Sequence, residues 1–165
     1  VEKMAKQYFT FVEQSAAEVE ITLGDGRVSL ARQLINGGSK QFDVVVVDAF
    51  SGSSIPIHLL TLEAFHLYNK HLADHGALAI HISNTHLGLA PLIRGFAAEI
   101  DKQAIYFRYT DTKTEHFDAE WIILTNNKQF LNNPMVKLSA SPWPENSDKT
   151  LLWTDDYSHL LSVLR

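Results

Sequence analysis

The segment Gln41–Pro56, QFDVVVVDAFSGSSIP, decides how the rest of the chain is interpreted. Four consecutive valines lead into Asp48, and a loop of small residues follows. A run that is apolar on both faces and is bounded by turn residues predicts a central parallel strand covered by helices on both sides. Ligands of open α/β sheets bind where such strands end, so the sequence predicts a functional site at Asp48.

The composition indicates one domain with a real hydrophobic core. The chain has 165 residues, 45% of them hydrophobic, with a formal net charge of -5 and no cysteine. A nucleic-acid-binding surface needs clustered Lys and Arg, so the acidic balance argues against nucleic acid as a partner. No apolar run reaches the roughly 20 residues of a membrane span, so we expect no membrane insertion by this segment. We expect a cytoplasmic protein, or the soluble part of a membrane protein.

Strand and helix patterns alternate through the first part of the chain. Val1–Val12 has apolar residues at helical spacing, and Glu18–Leu23 has the pattern of a short strand. A helix follows and ends at Gly37 and Gly38, because glycine commonly terminates helices. Since the first helix begins without a capping residue or a preceding strand, we expect residues 1–165 to be a single truncated domain, cut from a longer α/β protein.

The elements after the valine strand alternate at first and then change. They are a helix capped by Thr61, a turn at Asp74–Gly76, a strand at Ala77–Ile82 and a helix at Leu89–Ile100. Ala104–Tyr109 and Glu120–Thr125 are rich in β-forming residues and are joined by a loop too short for a crossover helix. These two runs should therefore pair as an antiparallel hairpin. Trp153, Thr154, Asp155 and Asp156 are predicted to introduce a brief terminal helix that runs through Leu164.

Four motifs, taken together, indicate a family. In chain order they are ITLGDGRVSL, FDVVVVDAFSGSSIPIHLLTLEAF, GALAIHISN and WTDDYSHLLSVLR. With this order the chain resembles the spermidine synthase-like proteins, the polyamine aminopropyltransferases, over nearly its whole length. The resemblance implies an α/β fold with a class I S-adenosylmethionine methyltransferase-like (Rossmann-like) sheet, mostly parallel and closed by a C-terminal antiparallel hairpin. The family's first two strands would lie upstream of Val1, so we expect a sheet that closes up or forms a homo-oligomer.

The resemblance also implies roles for particular residues. Asp25, flanked by Gly24 and Gly26, would bind the adenine of the co-substrate, decarboxylated S-adenosylmethionine. Asp48 would match the family's first catalytic aspartate, which helps remove a proton from the attacking amine. A carboxylate suits this step because an ammonium ion cannot attack carbon before it loses a proton. The implied reaction transfers a propylamine group to a small-molecule polyamine and uses no metal.

Ser51, Asp155 and Asp156 are the candidate residues for binding the polyamine. Ser51 stands where the family has its second aspartate, and a serine cannot offset an ammonium charge. Asp155 and Asp156 resemble the family's acidic tail signature, but they also precede a predicted helix, where capping is an ordinary role. Asp25 is likewise placed to cap the helix that follows it, and capping and adenine binding can coexist.

Three functions remain open from the sequence. The first is aminopropyl transfer, with residues 1–165 inactive on their own, and the second is S-adenosylmethionine-dependent methyl transfer on the same sheet. The third is a non-catalytic binding or assembly module, which Ser51 and the upstream position of the family's glycine-rich turn favour. His81 and His86 lack the spacing of a helical metal motif, so the sequence predicts no metal site.

Overall fold

The structure is a computed structural model that describes residues 2–48, 56–110 and 118–165. The α-helices and strands of this part, in chain order, are α1 (Glu2–Tyr8), α2 (Gly26–Gly37), β1 (Phe42–Val47), α3 (Leu62–His71), β2 (Leu72–His81), α4 (Ala90–Glu99), β3 (Gln103–Tyr109), β4 (Ala119–Thr125), α5 (Lys128–Leu131) and α6 (Pro134–Ser139). Short 3-10 helices lie at Ile57–Leu59 and Leu160–Val163.

The strands of the described residues form one mixed sheet in the order β1-β2-β4-β3. β1 is parallel to β2, with Val47 opposite Ile80, whereas β4 is antiparallel to both β2 and β3. The predicted hairpin is confirmed, and its second strand lies beside β2. The predicted mostly parallel sheet is found as a mixed sheet, in which β1, β2 and β3 run in one direction and β4 runs in the other.

One face of the sheet carries the hydrophobic core. Leu78 and Ile80 of β2 and Ile122 of β4 are completely buried under α3 and α4. The two helices meet at Phe65 and Phe96, whose ring centroids are 4.5 Å apart. Side chains alternate between the faces of a strand, so residues such as Ala79, His81 and Trp121 lie on the opposite and less buried face.

β1 is an edge strand of the described sheet, which corrects the prediction of a central strand covered on both sides. Val44 and Val46 are each 57% exposed, whereas Val45 and Val47 pack against the core. A run of valines fits a pleated surface, but the run alone does not determine which elements cover that surface. The sequence therefore predicted the strand correctly and its position in the sheet incorrectly.

The N-terminal region also departs from prediction. α1 is shorter than the expected Val1–Val12 helix, and none of its described residues is buried. Glu18–Leu23 forms no strand, because its backbone pairs with none of the four strands and an alternating pattern alone does not make a β ladder. The predicted helix starts are confirmed further on, since Asp25 caps α2 and Thr61 caps α3 through their side chains.

Residues 151–156, which we call the strap, cross α3 and α4 ahead of the predicted C-terminal helix. The Leu62 amide donates a hydrogen bond to the Trp153 carbonyl at 2.8 Å. A Cβ added to Gly95 in α4 would lie 2.3 Å from the Leu151 carbonyl oxygen, so only glycine allows this close approach. The brief helix predicted to follow Asp156 and to run through Leu164 is a 3-10 helix confined to Leu160–Val163.

Two short helices, α5 and α6, occupy the Pro- and Asn-rich stretch after β4, where no helix was predicted. Asn127 caps the first and Asn133 caps the second through their side chains. None of the helices formed by residues 2–48, 56–110 and 118–165 combines the length and the apolar character required to cross a bilayer.

Candidate functional site

Asp48 follows β1 directly and is the centre of the first candidate cluster. Its side chain is 52% exposed, and its Oδ1 lies 2.8 Å from Nδ1 of His81. His81 ends β2, and the register that places Val47 opposite Ile80 makes Asp48 and His81 neighbours on adjacent parallel strands. The prediction that Asp48 lies at the carboxyl end of a strand, at an accessible edge of the sheet, is confirmed.

Ser83 and Trp121, both among the described residues, also hold the His81 ring. Its Nε2 lies 2.6 Å from Oγ of Ser83, and the same hydroxyl oxygen accepts a hydrogen bond from the Glu120 amide at 2.7 Å. Trp121, opposite His81 on β4, stacks on the imidazole with ring centroids 4.7 Å apart and an interplanar angle of 15°. The ring therefore has a fixed plane beside the Asp48 carboxylate. Trp121 is half-buried on this face.

A polar cavity of about 320 Å³ adjoins the Asp48 cluster at Ser83. Its lining residues are Ser83, Asn84, Thr85, Asp118, Glu120 and Arg165. The Glu120 carboxylate is buried and binds Arg165 at 2.6 Å, and Asp118 binds Arg108 at 2.6 Å. The volume of this cavity lies at the lower end of the range for small-molecule sites. Since both carboxylates already have arginine partners, the cavity carries little net charge for attracting a cation.

Asp25 belongs to a second cluster at the start of α2. One of its oxygens accepts a hydrogen bond from the Val28 amide at 2.9 Å, and the other lies 2.8 Å from Nε2 of His58. The Val28 amide and then His58 hold the pKa of the Asp25 carboxyl below its usual value, because both favour the charged form. The capping role is therefore confirmed, while the adenine-binding role stays a prediction.

The two glycines that flank Asp25 differ in their surroundings. Gly24 has φ +124°, a backbone conformation that favours glycine, and a Cβ added to Gly26 would meet nothing within 4 Å. Gly26 lines a cavity of about 620 Å³ together with residues that include Ser29 and Phe42. The volume is in the range that holds small organic ligands. The Asp25 carboxylate, in contrast, turns toward His58 and is not part of this lining.

Asp155 joins the strap to α2. Its two oxygens accept hydrogen bonds from Arg27 at 2.7 and 2.6 Å, and Oγ1 of Thr61 donates to one of them at 2.8 Å. Arg27 and then Thr61 hold the pKa of the Asp155 carboxyl below its usual value. Helix capping by Asp155 is wrong, since the next helix begins only at Leu160. Asp156, the next residue, is exposed.

The two clusters are separate networks in the described part of the chain. The link between Asp25 and Asp155 runs through Arg27, which also donates to the His58 carbonyl at 2.7 Å. His58 lies in the 3-10 helix Ile57–Leu59, which comes after Asp48 in the sequence. Ser51, the third candidate for amine binding, lies outside the described residues.

Sequence reasoning missed His81 as the partner of Asp48 and treated it only as a metal candidate. Their positions in the sequence could have indicated the pairing, because Asp48 directly follows β1 and His81 ends β2, the next strand of the same β-α-β unit. Residues at the carboxyl ends of adjacent parallel strands meet at the same edge of the sheet. Arg27 was missed for a different reason, since its partner Asp155 is 128 positions away and no local pattern joins them.

Comparison with known proteins gives one match in sequence and several in structure. No protein-family model matches the chain. The chain is 32% identical over 85 residues to the polyamine aminopropyltransferase of Vibrio vulnificus (strain CMCP6), and the match covers 52% of this chain and 27% of that protein. The chain therefore matches only a minor part of that relative's length.

The solved structures similar to this chain include spermidine synthases. A probable spermidine synthase from Corynebacterium glutamicum matches with a TM-score of 0.67 and 16% identity, over 96% of this chain and 61% of that one. Spermidine synthase from Thermotoga maritima matches with a TM-score of 0.56 and 12% identity, over 93% and 50%. A spermidine synthase in complex with the transition state analogue AdoDATO matches with a TM-score of 0.55 and 12% identity, over 86% and 52%. These likenesses confirm the predicted spermidine synthase-like α/β fold of the methyltransferase-like type, and the chain spans between 50% and 61% of these structures.

Proposed function

We propose, from its spermidine synthase-like fold and its match to a polyamine aminopropyltransferase, that this chain is the acceptor-activating part of an aminopropyltransferase. The reaction moves a propylamine group from decarboxylated S-adenosylmethionine to a polyamine. The observation that carries the proposal is Asp48, an accessible carboxylate at the end of β1 with an N–H donor fixed on one oxygen. We propose the activity for the protein at its natural length.

Asp48 would act as the proton acceptor for the amine. The polyamine nitrogen loses a proton to the carboxylate and uses the freed electron pair to form a bond to the propyl carbon. The bond from that carbon to sulfur breaks, and its electron pair neutralises the sulfonium and leaves a thioether nucleoside. A carboxylate beside these atoms also stabilises the positive charge of the sulfonium before the bond breaks.

The turn at Gly24, Asp25 and Gly26 is the proposed contact for the nucleoside. Gly26 leaves open space beside the backbone, which an aromatic base requires. A carboxylate has about four acceptor positions. Asp25 uses one for the Val28 amide and one toward His58, so it can accept the adenine amino group as well.

The cationic ends of the polyamine need acidic or hydroxyl partners, and the candidates differ in their availability. Asp156 is exposed and offers a charge beside the strap. Asp155 already binds Arg27 with both oxygens, so we propose that it orders the site rather than binding the amine. Ser51 would add a hydroxyl acceptor without a charge, which predicts a weaker hold on the amine than a second aspartate would give.

The test of the proposal is a turnover assay on the natural-length protein with decarboxylated S-adenosylmethionine and putrescine. We expect thioether nucleoside to form, and Asp48→Asn to lower kcat by roughly 10²- to 10⁴-fold, the usual contribution of a general base. Nucleoside affinity, measured by calorimetry, should stay near that of the parent because the amide keeps the shape of the carboxylate. Asp43→Asn, an exposed aspartate earlier in β1, is the matched control. Full turnover by Asp48→Asn would remove the proposed base.

A non-catalytic binding or assembly module is the second candidate, and two observations favour it. Ser51 has no charge to offer an amine, and Asp155 is neutralised by Arg27. Calorimetry with both decarboxylated and ordinary S-adenosylmethionine separates the possibilities. Preference for the decarboxylated form supports aminopropyl transfer, preference for the ordinary form supports methyl transfer, and no heat with either supports the module.

A further inference from the structure

We propose that His81 is the positioning residue of Asp48, and that it acts through a hydrogen bond donated from Nδ1–H. The proposal rests on the proposed function, in which Asp48 takes the amine proton, and it adds a residue that neither the motifs nor the comparisons assign. Three contacts carry it: the 2.8 Å distance to Asp48, the 2.6 Å distance to Ser83 and the stack on Trp121.

The direction of each hydrogen bond follows from counting donors and acceptors. The Asp48 carboxylate can only accept, so Nδ1 of His81 must carry the proton that joins them. Oγ of Ser83 accepts from the Glu120 amide and has one proton of its own to donate. If Oγ donates that proton to Nε2, the three hydrogen bonds among Asp48, His81, Ser83 and the Glu120 amide form with a neutral imidazole. The Asp48 carboxylate therefore specifies the Nδ1–H tautomer, and the Ser83 hydroxyl donates to the unprotonated Nε2.

The consequence for Asp48 is a carboxylate with one oxygen fixed by His81, on a side chain that stays 52% exposed. An exposed aspartate without such a donor would sample several rotamers. A proton acceptor must lie within hydrogen-bond reach of the amine, and a misplacement of about 1 Å can cost roughly 10²-fold in rate. Trp121 keeps the imidazole in its plane, so the geometry is set by the sheet rather than by the ligand.

Substitutions at His81 can separate this role from simple packing. His81→Asn places an amide N–H at the same number of bonds from the backbone as Nδ1, so it can still donate to Asp48. His81→Gln carries its amide one bond further, at the position of Nε2, and loses that bond. His81→Phe keeps the ring and its stack on Trp121 but removes both nitrogen contacts. His75, at the other end of β2 and exposed, provides matched controls with the same three changes.

In the turnover assay on the natural-length protein, we expect His81→Phe and His81→Gln to lower kcat by roughly 10²-fold. His81→Asn should recover most of the rate, and KM for the nucleoside should change little in all three variants. The His75 variants should match the parent. If His81→Phe keeps the parent's kcat, the ring only packs against Trp121 and the positioning role is overturned.

A second measurement does not depend on turnover. In protein with ¹⁵N-labelled histidine at pH 8, the ring nitrogen shifts of His81 should report the Nδ1–H tautomer. Asp48→Asn removes the acceptor-only group, so it should move the Nδ1 signal and let the Nε2–H tautomer appear, whereas Ser83→Ala should move only the Nε2 signal. A ring in the Nε2–H tautomer that does not respond to Asp48→Asn overturns the inference. Absent turnover together with the expected tautomer contradicts the proposed function, while the hydrogen bond from His81 to Asp48 is supported.

Discussion

The two sides of the molecule differ sharply in how they hold their apolar residues. On one side, β2, β4, α3 and α4 enclose a core in which Phe65 and Phe96 are completely buried. On the other, α1, the segment before α2 and the outer side of β1 leave large apolar groups such as Phe11, Val44 and Val46 exposed. We infer that the first side supplies the stability of this chain, and that the candidate clusters lie where the second side joins it.

Two polar joints connect these sides. Arg27 of α2 binds Asp155 of the strap, and His71 of α3 is completely buried against α2 and the approach to β1. Nδ1 of His71 accepts a hydrogen bond from the Lys40 amide at 3.2 Å, and Nε2 donates to the Leu30 carbonyl at 3.0 Å. Each joint gives a way to test whether the open side depends on the packed one.

The largest effect is expected from comparing two phenylalanines. Phe96→Ala empties a completely buried position, which should lower the free energy of unfolding by about 4 kcal/mol. Phe11→Ala removes a ring that is 66% exposed, so the change should stay below about 0.5 kcal/mol. Urea unfolding followed by circular dichroism measures both. Equal losses would mean that the open side is packed in solution and that the contrast between the sides is incorrect.

An intermediate effect is expected at the buried joint. His71→Leu keeps a similar volume but leaves the Lys40 amide and the Leu30 carbonyl without their partner. Unsatisfied buried polar groups of this kind should cost about 2 kcal/mol in the free energy of unfolding. His66→Leu, on the exposed side of the same helix, is the control and should change little. A stabilised His71→Leu variant would show that this joint is not formed.

The smallest effect is expected at the exposed joint, and it depends on pH. Asp155→Asn should cost about 1 kcal/mol at neutral pH, because the side chain is 44% exposed and solvent screens its pairing with Arg27. The folded protein lowers the pKa of Asp155, so its contribution is present above the unfolded value of about 3.9 and is lost as pH falls through the folded pKa. The difference between parent and variant should therefore shrink with acidification.

Unfolding curves at several pH values measure this difference, with Asp156→Asn as the neighbouring control. A difference that grows as the pH falls would have the wrong sign for a carboxyl with a lowered pKa. A loss at neutral pH of the same size in the control would mean that charge in this region matters more than the bidentate pair.

Local patterns in the sequence predicted elements better than they predicted neighbours. The caps at Asp25 and Thr61 were predictable because a cap depends on residues within one turn. The edge position of β1 and the partners of Arg27 were not, because they depend on which distant segments pack together. The pairing of Asp48 with His81 lies between these cases, since it follows once the β1–β2 register is known.

The close approach of Gly95 to Leu151 connects α4 to the joint between Asp155 and Arg27. Any side chain at position 95 would clash with the Leu151 carbonyl and displace the strap from α4. The displaced segment continues to Asp155, whose hold on Arg27 fixes the first turn of α2. The displacement caused by a methyl group at position 95 would thus reach the turn that carries Asp25 through the strap and Arg27.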